Sequence, residues 1–131
     1  MPKKTSTQEM QAVLSLPGPQ RYEYFVKQVA DWEQAWGLFR DGWALAATNS
    51  EGRQVFPVWP SREYAKACAE GIWEGFEPAP ISLEDMIEEL LPKLQREGTP
   101  VGVFYRPDGK GVIRQPAELA DDLRTESNRY E

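Results

Sequence analysis

The sequence predicts an α+β protein in which four to five helices pack on a mostly antiparallel sheet of about five strands, in a single domain. Three observations predict it. The chain has 131 residues, of which 40% are hydrophobic and 27% charged, and this is typical of one soluble domain with one core. Apolar residues recur at helical spacing in several segments. In a central segment the pattern changes to alternation at every second residue, which is typical of strands.

Two helices are predicted near the N-terminus. Apolar residues at helical spacing indicate a short helix at 7–15, which "LPGPQ" ends. A longer helix at 20–33 carries the i, i+3, i+4, i+7 pattern on Tyr22, Phe25, Val26, Val29 and Ala30. Residues 1–6 and 127–131 are predicted to be a disordered and a frayed tail, so the domain is expected to span 7–126.

A three-stranded meander is predicted next, with strands at 36–40, 43–48 and 53–58. Asp41-Gly42 indicates a tight hairpin turn, because both residues tolerate positive φ. "NSEG" at 49–52 is the second turn. Pro57 has no N–H to donate, so its side of the third strand must lie at an edge, at a bulge or at the strand's end.

The second half of the chain adds helices and short strands. They are predicted, in chain order, as helix 61–70, strand 76–79, helix 82–97, strands 101–106 and 111–114 joined by a turn at 107–110, and helix 116–126. Ser61 is a favourable N-cap, and Ser82 with Asp85 forms a capping box. Pro92 removes one bond of helix 82–97, so a kink or break is expected there.

The composition excludes several kinds of chemistry. The chain has no histidine and a single cysteine, Cys68, so the usual nucleophilic pairs, cysteine-cluster metal sites and an internal disulfide are excluded. A net charge of −6 disfavours nucleic acid and anionic membranes and favours a cationic protein partner. No apolar run resembles a secretory signal or a membrane span, so a cytoplasmic location is expected. No cofactor, no metal and no catalytic residue is predicted.

Four segments together resemble a bacterial family known only as a domain of unknown function: "YFVKQVAD", "WGLFRDGWALA", "VFPVWPSREYA" and "PDGKGVIRQPAELADDL". The resemblance covers about residues 20–125. The element order and two of these segments are also distantly similar to the SseB N-terminal domain and to toxin-immunity families. This resemblance implies a mixed α+β interaction module and carries over no catalytic residue.

Two sets of residues are candidates for a binding site. The first is aromatic, and its members are Trp59, Tyr64, Trp73 and Phe76. They either plug the core or anchor a partner. The second is an acidic partner surface made of Glu84, Glu88 and Glu89, whose alternative interpretation is a solvated helix face.

The function expected from the sequence is a non-enzymatic bacterial interaction module that holds another protein, of an immunity- or regulator-like kind. The alternative is a small-molecule-binding or hydrolytic domain that uses carboxylates and Cys68. Cys68 is itself better explained as a small buried residue, because no histidine is present to activate its thiol. An exposed aromatic patch would favour the first function, and a pocket where carboxylates or Cys68 converge would favour the second.

Overall fold

Helices pack around two β-sheets in the computed structural model, which describes residues 7–47, 54–69, 73–106 and 111–128. The helices are α1 (Thr7–Leu14), α2 (Gly18–Trp32), α3 (Arg62–Ala67), α4 (Leu83–Asp85), α5 (Leu91–Glu97) and α6 (Pro116–Asn128), with a π-helical turn at Met86–Leu90. The strands are β1 (Gln34–Phe39), β2 (Ala46–Ala47), β3 (Gln54–Val58), β4 (Glu77–Ser82), β5 (Val101–Val103) and β6 (Val112–Arg114). The predicted α+β domain is confirmed.

The described strands form two sheets that meet at one bridge. One sheet pairs β1 with β4, and the other has the order β2-β3-β5-β6. Every pair is antiparallel except β3 with β5, which is parallel. Two backbone hydrogen bonds of 2.9 and 2.8 Å between Trp36 and Trp59 join the sheets. The mostly antiparallel sheet is therefore present, but it is split. The predicted three-stranded meander is wrong at its first step, because β1 pairs with β4, β2 pairs with β3, and the described residues form only the single bridge between Phe39 and Trp43 across the turn after β1.

Pro57 lies where the sheet splits. Backbone groups of Phe56 and Val58 bond toward β5, whereas Val55 and Trp59 pair on the opposite side, with β2 and β1 respectively. Pro57 faces this second side and has no N–H, so the pairing is interrupted there. Because β3 has neighbours on both sides, Pro57 does not mark a sheet edge.

One hydrophobic core lies between the sheets and the helices. Its largest members with almost no exposure include Phe25 and Val29 of α2, Val58 of β3, and Leu119 and Leu123 of α6. At its margin, α2 packs against α6 and α6 packs against α5. The apolar stripes predicted for these helices are therefore their buried faces.

The helical segment after β4 is continuous but changes its hydrogen bonding. The Ser82 hydroxyl accepts a bond of 3.0 Å from the Asp85 N–H, which confirms the predicted cap. The Leu91 N–H bonds to the Met86 carbonyl, five residues back. Pro92 cannot donate to the helix, and the π-helical turn lies directly before it. The kink or break expected at Pro92 therefore takes the form of a π-helical turn.

Several predicted features differ in extent or lie outside the described residues. Ser61 occupies the N-cap position of α3, but its buried hydroxyl has no hydrogen-bond partner among the described residues. Helix α6 continues to Asn128, beyond the predicted domain end at 126. The turns at 49–52 and 107–110 and the first six residues lie outside the described ranges. Within those ranges, no helix has the length and apolar character needed to cross a membrane.

Candidate protein-contact groove

Three large apolar side chains are exposed around the first hairpin. Phe39, Trp43 and Leu45 have exposed fractions of 43%, 36% and 40%. We call Phe39, Trp43 and Leu45 together the aromatic patch, after the two rings that it contains. Single exposed apolar residues are common, but neighbouring ones mark a candidate contact surface.

The hairpin geometry places these side chains outside. Asp41 adopts a left-handed φ of 57°, as the Asp-Gly pair predicted, and the Ala44 N–H donates to the Leu38 carbonyl at 2.8 Å. Leu38 and Ala44 are buried, whereas the odd-numbered residues of the aromatic patch are exposed. Alternation across a tight turn therefore puts one set in the core and the other on the surface.

Gly37 makes room for the Trp43 ring. A Cβ atom at Gly37 would lie 2.9 Å from Cζ3 of Trp43, so the indole lies directly against the strand backbone. The Phe39 and Phe56 rings hold the indole from two sides, with centroid distances of 5.2 and 5.8 Å. Trp43 is therefore a positioned side chain that still exposes about a third of its surface.

A groove of about 450 Å³ begins at Trp43. Its apolar lining consists of Trp43, Pro80, Ile81 and Leu90. Its charged lining consists of Asp85, Glu89, Lys93 and Arg96. We call this the contact groove. This mixture of apolar and charged side chains suits a protein-binding surface, in which apolar contacts are usually bordered by polar ones.

The charges of the contact groove are ordered along one helical side. Asp85 and Glu89 come first, and Lys93 and Arg96 follow about one turn apart. Among the described residues, the side chains of Glu89, Lys93 and Arg96 make no ion pair or hydrogen bond. Two carboxylates and two cations are thus available to a partner.

The neighbouring strand edge is closed to strand addition. Trp36 pairs with Pro80 across β1 and β4, but its backbone N–H and carbonyl bond to Trp59 on the other side. Pro80, and Pro78 two residues earlier, therefore face the outer edge of β4. Neither has an N–H, so this edge cannot form a regular ladder with another chain. A partner at the contact groove must bind through side chains.

Three of the four predicted aromatic binding residues are in the core. Trp59, Tyr64 and Trp73 expose 0%, 1% and 8% of their surfaces, and Phe76 is half-buried. The Trp59 indole donates to the Tyr105 carbonyl at 2.9 Å and packs edge-on against Trp73 at 5.7 Å. These aromatics plug the core, which was the other interpretation of the sequence.

Trp73 connects this core to the aromatic patch. Its indole N–H donates to the Leu45 carbonyl at 3.3 Å, so the buried ring fixes the segment that presents Leu45 and Trp43. Trp73 therefore supports the exposed surface without being part of it.

The predicted acidic surface is exposed, but only one of its residues lies at the contact groove. Glu84, Glu88 and Glu89 all have exposed side chains, and only Glu89 lines the groove. Asp85, assigned to the helix cap, lines the groove as well. The sequence indicated a capping role for Asp85 and did not indicate that it shares a groove with Glu89 and Trp43.

Cys68 lies away from the contact groove. It is 5% exposed, and its thiol donates to the Tyr105 carbonyl at 3.3 Å. Within the described ranges, no group of acidic, histidine or cysteine side chains is arranged to hold a metal ion. Cys68 is therefore a buried core residue.

A second polar cluster joins α2 to α6. The Tyr22 hydroxyl donates to Asp122, and Arg114 donates to the same carboxylate at 2.9 Å while it stacks on the Tyr22 ring at 5.1 Å. Burial and the bond to Asp122 raise the pKa of Tyr22. Burial alone would raise the pKa of Asp122, but the bonds from Tyr22 and Arg114 bring it below its usual value. All three groups satisfy one another, so this cluster fastens the helices.

Sequence reasoning missed the aromatic patch and the cationic part of the contact groove. Phe39, Trp43 and Leu45 were not singled out as a surface, and neither were Lys93 and Arg96, which line the groove from the helical side. One signal was available: Gly37 is on the same strand face as Phe39, and its missing side chain leaves space for a neighbouring ring.

The fold and the contact groove define an α+β domain with an exposed aromatic surface and no described metal site. The chain belongs to the family of proteins of unknown function DUF2750, whose model matches residues 22–123. The predicted membership of a family of unknown function is therefore confirmed. No curated protein matches the chain.

Proposed function

We propose that this protein is a non-catalytic interaction module that holds another protein at the contact groove. The observation that carries the proposal is Trp43, a tryptophan fixed over Gly37 yet exposed beside an apolar groove. Tryptophan is among the residues that most often dominate binding energy. The charged border supplies orientation, because exposed charges contribute more to specificity and association rate than to affinity.

The hydrolytic alternative has less support. It needs carboxylates and Cys68 in one place, but Cys68 is bonded to the Tyr105 carbonyl in the core and does not line the groove. One observation supports the other form of this alternative, the binding of a small cationic molecule. Asp85 and Glu89 share a groove of about 450 Å³, which is within the range of ligand sites.

The proposal also includes the kind of module, its location and the charge of its partner. The distant family resemblance supports a bacterial module of an immunity- or regulator-like kind, and we propose the cytoplasmic location that the sequence led us to expect. The preference for a cationic partner follows from the net charge of −6 and from the two carboxylates at the groove. Lys93 and Arg96 add a requirement for acidic groups on the same partner.

Site-specific photo-crosslinking in the native host tests the proposal. A photoreactive amino acid at Leu45, inside the aromatic patch, should form a discrete adduct with a protein. Adding Trp43→Ala should remove that adduct. The matched control is Ile113→Ala, because Ile113 is 46% exposed on β6 and is absent from the groove lining.

The captured protein must then bind the purified chain. We expect saturable binding that Trp43→Ala weakens at least about tenfold and that Ile113→Ala leaves unchanged. Adducts that persist in Trp43→Ala, with circular dichroism unchanged, would rule out the contact groove as the site. A cationic small molecule that protects the purified protein against thermal unfolding, but does not protect Glu89→Gln, would favour the small-molecule alternative.

A further inference from the structure

We propose that the occupant of the contact groove is a second copy of this chain, packed antiparallel about a two-fold axis. This inference rests on the proposed function, because it names the partner of the same surface. It comes from the order of charges along the groove. Two-fold interfaces are isologous, so each contact between one residue and another occurs twice.

The charge order is self-complementary. The midpoint between Glu89 and Lys93 falls at Leu91, and the midpoint between Asp85 and Arg96 falls between Leu90 and Leu91. An antiparallel copy turned about this point places each carboxylate opposite a cation of its partner. A parallel copy would place like charges together. The sequence order thus selects one orientation, which is how charges at an interface define register.

Apolar side chains lie on both sides of this centre. Leu90 lies next to the midpoint and lines the groove, as does Trp43, which belongs to a different segment of the chain. A dimer about this axis would bury both residues from both copies and leave the charges at the border. Protein interfaces usually have an apolar centre surrounded by a polar border.

Net charge and one blocked strand edge restrict how two copies can pack. Each copy carries a net charge of −6, so two copies repel unless their contact is locally complementary. Pro78 and Pro80 prevent strand pairing across the outer edge of β4. The groove supplies the local complementarity, because two of its four charged residues are cations.

Reciprocal charge exchange tests the orientation. By sedimentation of the purified chain, we expect a concentration-dependent dimer that Glu89→Lys or Lys93→Glu alone weakens at least about tenfold, since each creates two like-charge contacts. Mixing the two single variants should restore a dimer that contains one copy of each. The double variant, with both exchanges in one chain, should dimerise again by itself.

Matched controls separate the groove from total charge. Glu88→Lys makes the same charge change as Glu89→Lys on an exposed residue outside the groove lining, and it should leave the dimer intact. Trp43→Ala should weaken the dimer at least about tenfold, as at other interfaces centred on tryptophan. Circular dichroism of each variant confirms that it is folded.

The outcomes distinguish this inference from the proposed function. A wild-type chain that stays monomeric at its highest soluble concentration overturns the second-copy inference. The proposed function survives that result if Leu45 still crosslinks to a different protein. A dimer that neither single exchange weakens, or a mixture that stays monomeric, also overturns the antiparallel arrangement. A Leu45 adduct between two copies supports both.

Discussion

Replacement of Trp73 by alanine should cause a large loss of stability, because the ring is part of the core. Trp73 is 8% exposed and packs against Trp59 at 5.7 Å and Tyr105 at 6.0 Å. Its indole also holds the Leu45 carbonyl. The substitution therefore removes packing, one hydrogen bond and the support of the aromatic patch.

The expected magnitude follows from the buried area. A tryptophan buries about 150–250 Å². At about 25 cal/mol per Å², that area corresponds to about 4–6 kcal/mol, which is an upper estimate because an unfolded chain already buries some surface. The measured range for such substitutions, about 3–5 kcal/mol, is therefore the expected loss. Trp43→Ala should cost less, about 2 kcal/mol, because a third of that ring is already in water.

Urea denaturation followed by circular dichroism measures this loss. With a slope of about 2 kcal/mol per M, Trp73→Ala should lower the unfolding midpoint by about 2 M. Ile113→Ala, a change at an exposed residue, should stay within about 0.5 kcal/mol of the wild type. Trp73→Phe keeps a ring and removes only the indole donor, so it should fall between these two. A near-normal midpoint for Trp73→Ala would refute the core assignment and return this residue to the candidate contact surface.

Three further predictions concern the core and the titrating groups. The buried Cys68 thiol should react slowly with a labelling reagent in the native protein and rapidly after unfolding; rapid native labelling would contradict its burial. Leu91→Ala should cost about 2–5 kcal/mol in urea denaturation, whereas the exposed Glu88→Gln should be nearly neutral, so equal losses would mean that the buried face is wrong. Burial raises the pKa of Tyr64, so the folded chain keeps this phenol protonated after the unfolded chain has lost the proton. The contribution of Tyr64 to stability should therefore be constant below about pH 10 and be lost progressively above it, and denaturation of Tyr64→Phe across this range should give a shallower fall.

Local rules in the sequence determined most of the elements. Helical periodicity identified α2 and α6, and the Asp41-Gly42 pair identified the tight turn after β1, although not the pairing of the flanking strands, because the left-handed φ at Asp41 is a property of the turn itself. The Ser82 cap was predictable for the same reason, since its donor is only three residues away. Each of these features depends on residues that are close together in the chain.

The tertiary structure alone decided how distant segments meet. The parallel pairing of β3 with β5 joins segments more than forty residues apart, and no local pattern specifies it. No local pattern specifies the burial of the tryptophans either. Trp59 is buried beside β1 and Tyr105, and Trp73 is buried against Trp59 and Tyr105, whereas Trp43 is exposed because it lies on the outer face over Gly37.

The contact groove depends on both local and distant contacts. The sequence determined the order of charges along the helical segment from Asp85 to Arg96, because residues three or four apart share one side of a helix. It could not place Trp43 beside them, because that contact brings together two segments about forty residues apart. Burial is a property of the whole packed chain, so only the tertiary structure decided which aromatic residue is available to a partner.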